Sequence, residues 1–332
     1  MKVLLCARGL TRIRGWLQEE LPEDQIVECS GAEVAATAAG ADVLIPTVSA
    51  IDEPALAHRS VRLVQQFGAG LDTVDVAGAS RHGVLVANVP TAETANADSV
   101  AELAIFFMLA LARRFPGTQE FLRARRLGGP VGNTIGGKSA LIIGFGGIGR
   151  ALARRLTGLG VHVVVVSRRG PRGDDENVAR HVAAERLHDL LPEADFVVVA
   201  TPLDEATRGL VGARELALVK PGAFLVNVAR GGIVDRQALV EALRDGRLAG
   251  AGIDVFWEEP VSPEDPLLQL NVIATPHIGG STEESLHGIA RRVAENVSCI
   301  RAGRMPRNCV NRSAVDGRAL RDRWAPAPPP SL

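Results

Sequence analysis

Arg230, Glu259 and His277 are the side chains whose types and spacing hold the most chemistry in this chain. Each follows an apolar, strand-like run. Arg230 stands in Asn227-Val228-Ala229-Arg230-Gly231-Gly232, Glu259 in Asp254-Val255-Phe256-Trp257-Glu258-Glu259-Pro260, and His277 in Ala274-Thr275-Pro276-His277-Ile278-Gly279-Gly280. A histidine gives or takes a proton near neutral pH. A carboxylate beside its ring fixes the tautomer and favours the protonated form. An arginine between small residues holds a carboxylate in a two-pronged grip. Taken singly, each has a plainer reading: a hydrogen-bonded structural histidine, a salt-bridged arginine, an acidic turn. The other six histidines (His58, His82, His162, His181, His188, His287) lack such a setting and are expected to be structural. What lifts the three is their shared place at strand ends, where parallel sheets bind ligands.

The element that must position them begins at Ser139. The apolar run Ala140–Ile143 enters Gly144-Phe145-Gly146-Gly147-Ile148-Gly149 and then a helix-forming segment. Strand, glycine turn and helix in that order form a dinucleotide-binding Rossmann unit. Gly144 makes the tight turn, Gly146 lets the backbone approach the pyrophosphate, and Gly149 lets helix pack on strand. Gly147 and Ile148 open the helix, whose free N–H groups favour an anion. Further strands are expected at Val161–Val166, Phe196–Ala200, Ala223–Val228, Gly250–Asp254 and Val272–Thr275, six in all. Thr201, Val228, Ala229, Asp254, Gly279 and Gly280, at or just past these strand ends, join the expected cofactor contacts. An NAD-selective site carries Asp or Glu at the end of its second strand. Here that strand ends in Ser167-Arg168-Arg169, whose hydroxyl and guanidinium groups suit a ribose 2′-phosphate. NADP(H) is therefore the expected cofactor. NAD(H) stays possible should Asp174 or Asp175 reach back across the glycine-proline loop.

The first third alternates short strands and helices and reads as a flavodoxin-like α/β half. Its strands are expected at Lys2–Cys6, Ile26–Glu28, Ala41–Ile45, Arg62–Gln66 and Leu85–Asn88. Ser99–Arg114 reads as a helix capped by Ser99 and, being apolar nearly all round, buried where the domains or subunits meet. A long helix over 281–303, capped by Ser281 or Thr282, returns the chain to the first half. The fold class is thus α/β, with two Rossmann-like domains: a dinucleotide-binding domain (97–282) inserted in a discontinuous flavodoxin-like substrate domain (1–96 and 283–324). A proline-rich tail, 325–332, is expected to be disordered.

Composition narrows the classes further. Thirty-seven Lys and Arg against 38 Asp and Glu leave a net charge of −1 and no basic arm for nucleic acid. Cys6, Cys29, Cys299 and Cys309 show no metal spacing and read as reduced thiols of a cytoplasmic protein. No apolar run reaches the length of a membrane span. The absence of tyrosine excludes the short-chain dehydrogenases, which need a catalytic one.

These motifs in this order resemble the D-isomer-specific 2-hydroxyacid dehydrogenases. The resemblance covers the chain to about Arg312 and rests on GFGGIG, ATPL at Ala200–Leu203, KPGAFLVNVARGGIVD at Lys220–Asp235, AGIDVFWEEP ending at Pro260, and TPHIGG at Thr275–Gly280. It implies that Arg230 binds and polarises a 2-oxo acid, that His277 is the acid/base and that Glu259 supports it. It also implies that the amides of Ala69 and Gly70, in QFGAGLD, bind the substrate carboxylate, with the substrate between the domains, and that the protein is a homodimer. Glu259 argues against a formate dehydrogenase, which resembles the family but carries a glutamine there. The loop Pro46-Thr47-Val48-Ser49-Ala50 is small and uncharged, which favours a small unphosphorylated 2-oxo acid such as glyoxylate or hydroxypyruvate. Phe67 and Trp257 either shape the pocket or pack the core. Two alternatives remain open: a redox-sensing corepressor-like protein on the same fold, and a phosphite-type dehydrogenase using the same three residues.

Overall fold

The computed structural model describes residues 1–171, 173 and 175–315. The expected roles of Asp174 and of the 325–332 tail lie outside the described residues. The chain forms two compact units, one of Met1–Thr94 with the chain from Glu283 onward, the other Ala95–Thr282.

The first unit holds five parallel strands: β1 (Lys2–Leu5), β2 (Gln25–Glu28), β3 (Val43–Ile45), β4 (Leu63–Gln65) and β5 (Leu85–Ala87), ordered β2-β1-β3-β4-β5. That is the flavodoxin order. Alternate side chains feed opposite faces, and both faces are buried. Val3, Leu5, Val43 and Ile45 join one core, while Leu4, Cys6, Leu44 and Val64 join the other. Continuous apolar runs rather than alternation therefore mark these strands. The helix Glu283–Arg301 completes the first core with Ile289, Ala290, Val293, Val297 and Ile300, a helical period along one face. Polar ties seal the return. Buried Asn296 donates to Gln65 Oε1 at 2.7 Å, and Asn311 pairs with the backbone of Val84 and Val86.

The second unit holds seven parallel strands: β6 (Ser139–Ile143), β7 (His162–Ser167), β8 (Arg180–Ala183), β9 (Phe196–Val199), β10 (Ala223–Asn227), β11 (Leu248–Ile253) and β12 (Val272–Ala274). Their order, β12-β11-β10-β9-β6-β7-β8, is the Rossmann 3-2-1-4-5-6 order with one more strand at the end. Six strands were expected; β8 is the seventh. Its four residues, Arg-His-Val-Ala, are partly or fully exposed, so it has no apolar run to announce it.

The apolar helix spans Asn96–Ala112, beginning before the expected start. Ser99 is not its cap: it lies inside the first turn, its hydroxyl donating back to Ala95 O at 2.9 Å. Nor is the helix buried all round. Ala97, Val100, Ala101, Ala104, Phe107, Met108 and Leu111 enter the core of the second sheet. Phe106 and Leu109, on the other side, are 46% and 41% exposed.

Candidate active site

The glycine turn has the geometry its sequence asks for. Gly144 sits at φ +105°, and a Cβ there would lie 2.5 Å from Ala200 O. A Cβ on Gly149 would lie 2.3 Å from Gly144 O, so the helix Gly147–Gly158 can approach β6 only at a glycine. Gly146 differs: a Cβ there meets no protein atom. Its smallness serves nothing within the chain and fits the close approach of a pyrophosphate to the helix start. Gly147 and Ile148 are the first residues of that helix. The residues present thus fit a dinucleotide.

At the other half of the carboxyl edge, the loops after β10, β11 and β12 are tied together. Buried Asn227 closes the β10 turn, its Oδ1 accepting from Ala229 N–H at 3.1 Å and its Nδ2 donating to Arg230 O at 2.9 Å. Val228 and Ala229 are buried there. Arg230 is extended and half-buried, with one guanidinium N–H on Ala229 O at 2.7 Å.

Asp254, at the end of β11, is 2% exposed, and both its carboxylate oxygens are engaged. Oδ1 accepts from Thr275 Oγ1 at 2.6 Å and Ile278 N–H at 2.8 Å; Oδ2 accepts from Gly279 N–H at 2.9 Å. The Asp254 carbonyl also accepts from His277 N–H at 2.8 Å. Asp254 therefore braces the Thr275–Gly280 loop, a role that spacing alone does not reveal. The brace holds His277 at φ +55°, a region a non-glycine residue enters at a cost. Gly280 follows, half-buried, and Thr201 stands just past β9, also half-buried.

His277 and Glu259 meet as expected. Nδ1 of the ring lies 2.7 Å from Glu259 Oε2, while Glu259 Oε1 accepts from Phe256 N–H at 2.9 Å. Burial pushes the Glu259 carboxyl up, but the hydrogen bonds from His277 and Phe256 and the charges of His277 and Arg230 outweigh it. The net result is a carboxyl held below its usual range. The influence of Arg230 on Glu259 puts the three charged groups within one electrostatic neighbourhood. Trp257 is half-buried: its indole N–H donates to Val234 O at 2.7 Å and it packs on the core.

Around β7, two of the three expected cofactor contacts, Ser167 and Arg168, have partners already. Ser167 Oγ lies 2.8 Å from His181 Nε2. Exposed Arg168 pairs with Asp204, whose other oxygen is fixed by Ala206 and Thr207 N–H. Arg169 is exposed beside it. Asp175 accepts from Asn177 N–H at 3.0 Å and pairs with Arg150 at 3.4 Å.

In the first unit, Ala69 and Gly70 lie in a half-buried turn after β4. Gly68 O accepts from Val89 N–H at 2.8 Å, and Ala69 O from Asn88 Nδ2 at 2.8 Å, so the turn is pinned from its carbonyl side. Phe67 packs on the first core. Among the described residues, no helix is long and apolar enough to cross a membrane.

Sheet order and glycine turn define a dinucleotide-binding Rossmann protein with a carboxylate-bound histidine at its strand ends. Comparison with known proteins makes the class specific. Residues 105–279 match the model of the D-isomer specific 2-hydroxyacid dehydrogenase NAD binding domain. The chain is 41% identical to glyoxylate reductase of Thermococcus gammatolerans over 265 residues, covering 77% of this chain and 78% of that one. It is 34% identical to glyoxylate reductase of Pyrococcus furiosus over 313 residues, 90% and 89% of the two chains. Among solved structures, the TT0316 protein of Thermus thermophilus matches with a TM-score of 0.78 and 32% identity, over 93% of this chain and 100% of that one. The chain belongs to the D-isomer-specific 2-hydroxyacid dehydrogenases and is an NAD(P)-dependent enzyme of that family.

Proposed function

We propose that the enzyme reduces a small unphosphorylated 2-oxo acid, of the glyoxylate or hydroxypyruvate type, to the D-2-hydroxy acid, with NADPH as preferred donor. The observation that carries this reading is the 2.7 Å contact between His277 Nδ1 and Glu259, in the electrostatic reach of Arg230. A bound dihydronicotinamide supplies the hydride to C2 of the substrate. His277, with Nδ1 held by Glu259, donates the proton on Nε2 to the carbonyl oxygen. Arg230 binds the 2-oxo acid and stabilises the negative charge that develops on that oxygen, worth roughly 3–4 kcal/mol for one such donor. Ala69 and Gly70 offer amides to the substrate carboxylate. Thr201, Val228, Ala229, Asp254, Gly279 and Gly280 line the dinucleotide's side, Asp254 mainly by shaping the loop it braces.

The cofactor preference is supported by the absence of an acid at the end of β7 and by Ser167, Arg168 and Arg169 there. The substrate class is supported by the likeness to curated glyoxylate reductases and by the uncharged loop Pro46–Ala50. The four described thiols are free, which suits the reducing cytoplasm. Exposed Phe106, Leu109, Phe115 and Leu122 suit burial against a second copy, hence a homodimer.

The test is a panel of kcat/KM values for glyoxylate, hydroxypyruvate, pyruvate and phosphite, each with both nicotinamides, on a preparation whose mass in solution is measured alongside. Glyoxylate or hydroxypyruvate with NADPH is expected to lead, from a dimer. Preference for NADH sinks the cofactor reading. Turnover of phosphite with NADP⁺ but of no 2-oxo acid sinks the substrate reading.

A further inference from the structure

His181 has a setting that sequence does not reveal. On β8 it pairs in register with Val165 of β7, and its Nε2 lies 2.8 Å from Ser167 Oγ. Its ring meets Phe145, the second residue of the glycine turn, edge-on with centroids 5.0 Å apart. Arg150 lies over the same phenyl ring at 4.3 Å. One imidazole thus touches both parts of the sheet edge that a dinucleotide uses: the pyrophosphate turn and the hydroxyl at the end of the second strand.

We propose that His181 is a positioning residue for the 2′-phosphate of NADP(H): it aligns the Ser167 hydroxyl and takes up a proton as the phosphate binds. The inference rests on the NADP(H) reading above. A hydroxyl has one hydrogen. If Ser167 donates it to a phosphate oxygen, its own oxygen is left to accept, and an imidazole Nε2–H in line with it is the matching donor. Protonating the ring strengthens that donor and brings a positive charge within one hydroxyl of a dianion.

The charged groups facing His181 are Arg150, from the helix after the glycine turn, and Asp175, from the loop before β8. Burial, then Arg150, hold the imidazolium below its usual range, with Asp175 opposing. The free enzyme at neutral pH therefore has a proton to gain. A bound dianion favours the protonated ring, so affinity is full at low pH and falls as pH rises through the bound-state value. The limit for one proton is about tenfold per pH unit.

The experiment is calorimetric binding of adenosine 2′,5′-bisphosphate and of 5′-AMP, from about pH 6 to pH 8.5, in buffers of different ionisation enthalpy. The two probes differ only in the 2′-phosphate. The wild type is expected to lose roughly tenfold of its bisphosphate preference across that range and to take up a fraction of a proton on binding. His181→Gln keeps an amide donor but cannot titrate. It should bind the bisphosphate several-fold more weakly at pH 6, with no ring proton uptake and a flatter profile. His181→Phe keeps the contact with Phe145 and should lose affinity for the bisphosphate at every pH. Unchanged 5′-AMP binding shows that both variants fold. The phosphate's own second ionisation, near pH 6, is common to all three proteins and cancels in the comparison. If His181→Gln keeps the wild-type profile and proton uptake, the inference is overturned while the cofactor reading stands. If the wild type shows no preference for the bisphosphate at any pH, both fall together.

Discussion

The carboxyl edge of the seven-stranded sheet is built on two plans. After β10, β11 and β12, the loops are tied by fully engaged groups: buried Asn227 closes one turn, buried Asp254 accepts three hydrogen bonds, and Glu259, partly exposed, is held by Phe256 N–H and His277. Around β7 and β8, by contrast, Ser167 and His181 are half-buried, and Arg168 is held only by an ion pair with Asp204 at the surface. A group that must deliver a proton to one atom needs its position fixed to a few tenths of an ångström. A group that recognises a phosphate by charge tolerates exchange of partners, because the ion pair it gives up in water is worth little.

The largest effect should come from the rigid half. His277→Ala removes the proposed proton donor and is expected to lower kcat by about 10²–10⁴ while cofactor affinity, read by fluorescence titration, is kept. Wild-type turnover would take the acid/base role away from His277. Glu259 is held below the usual carboxylate range and stays ionised through neutral pH. A change of activity with pH near neutrality is therefore not to be read as titration of Glu259.

The next effect tests the brace rather than the chemistry. Asp254→Ala leaves the hydroxyl of Thr275 and the N–H groups of Ile278 and Gly279 without their acceptor. The expected cost is roughly 2–4 kcal/mol of stability. Asp254→Asn keeps one oxygen but turns an amide donor toward one of the same donors, and should fall between. A thermal midpoint unchanged in both variants would show that the loop holds His277 at positive φ without help from Asp254.

The same contrast explains what could be read in the sequence. GFGGIG, Arg230, Glu259 and His277 stand out because each follows an apolar run that marks a strand, and the strand end tells where its side chain goes. The flavodoxin-like half is legible for the same reason: β1, β3, β4 and β5 are buried on both faces. β8 is not, because a partly exposed edge strand of four residues needs no apolar run, and with β8 unseen His181 has no neighbours. Ser99 illustrates a different failure. Serine caps helices well, but here Asn96–Ser99 already forms the first turn, and Ser99 bonds back to Ala95. In the apolar helix, sequence cannot tell the face covered by the chain's own core from the one that carries Phe106 and Leu109. Asp254 illustrates a third. Its place at a strand end marks a ligand contact, while its bracing of a loop more than 20 residues on depends on contacts that only folding brings together.

The smallest effect belongs to the looser half and sharpens the contrast most. Arg168→Ala should lower kcat/KM for NADPH by roughly tenfold, the loss of one charge-assisted contact of about 1.4 kcal/mol, and leave NADH nearly unchanged. The effect is bounded because Asp204 already neutralises the guanidinium: the phosphate gains only the difference between two partners. Asp204→Asn removes that competitor and should shift preference the other way, raising the ratio of NADPH to NADH efficiency. High salt screens exposed charges and should shrink both shifts, whereas the His277→Ala loss should not depend on it. If Arg168→Ala instead lowers kcat with both nicotinamides equally, Arg168 shapes the site as a whole, and the division of this edge into a fixed proton-handling half and an exchangeable recognition half is wrong.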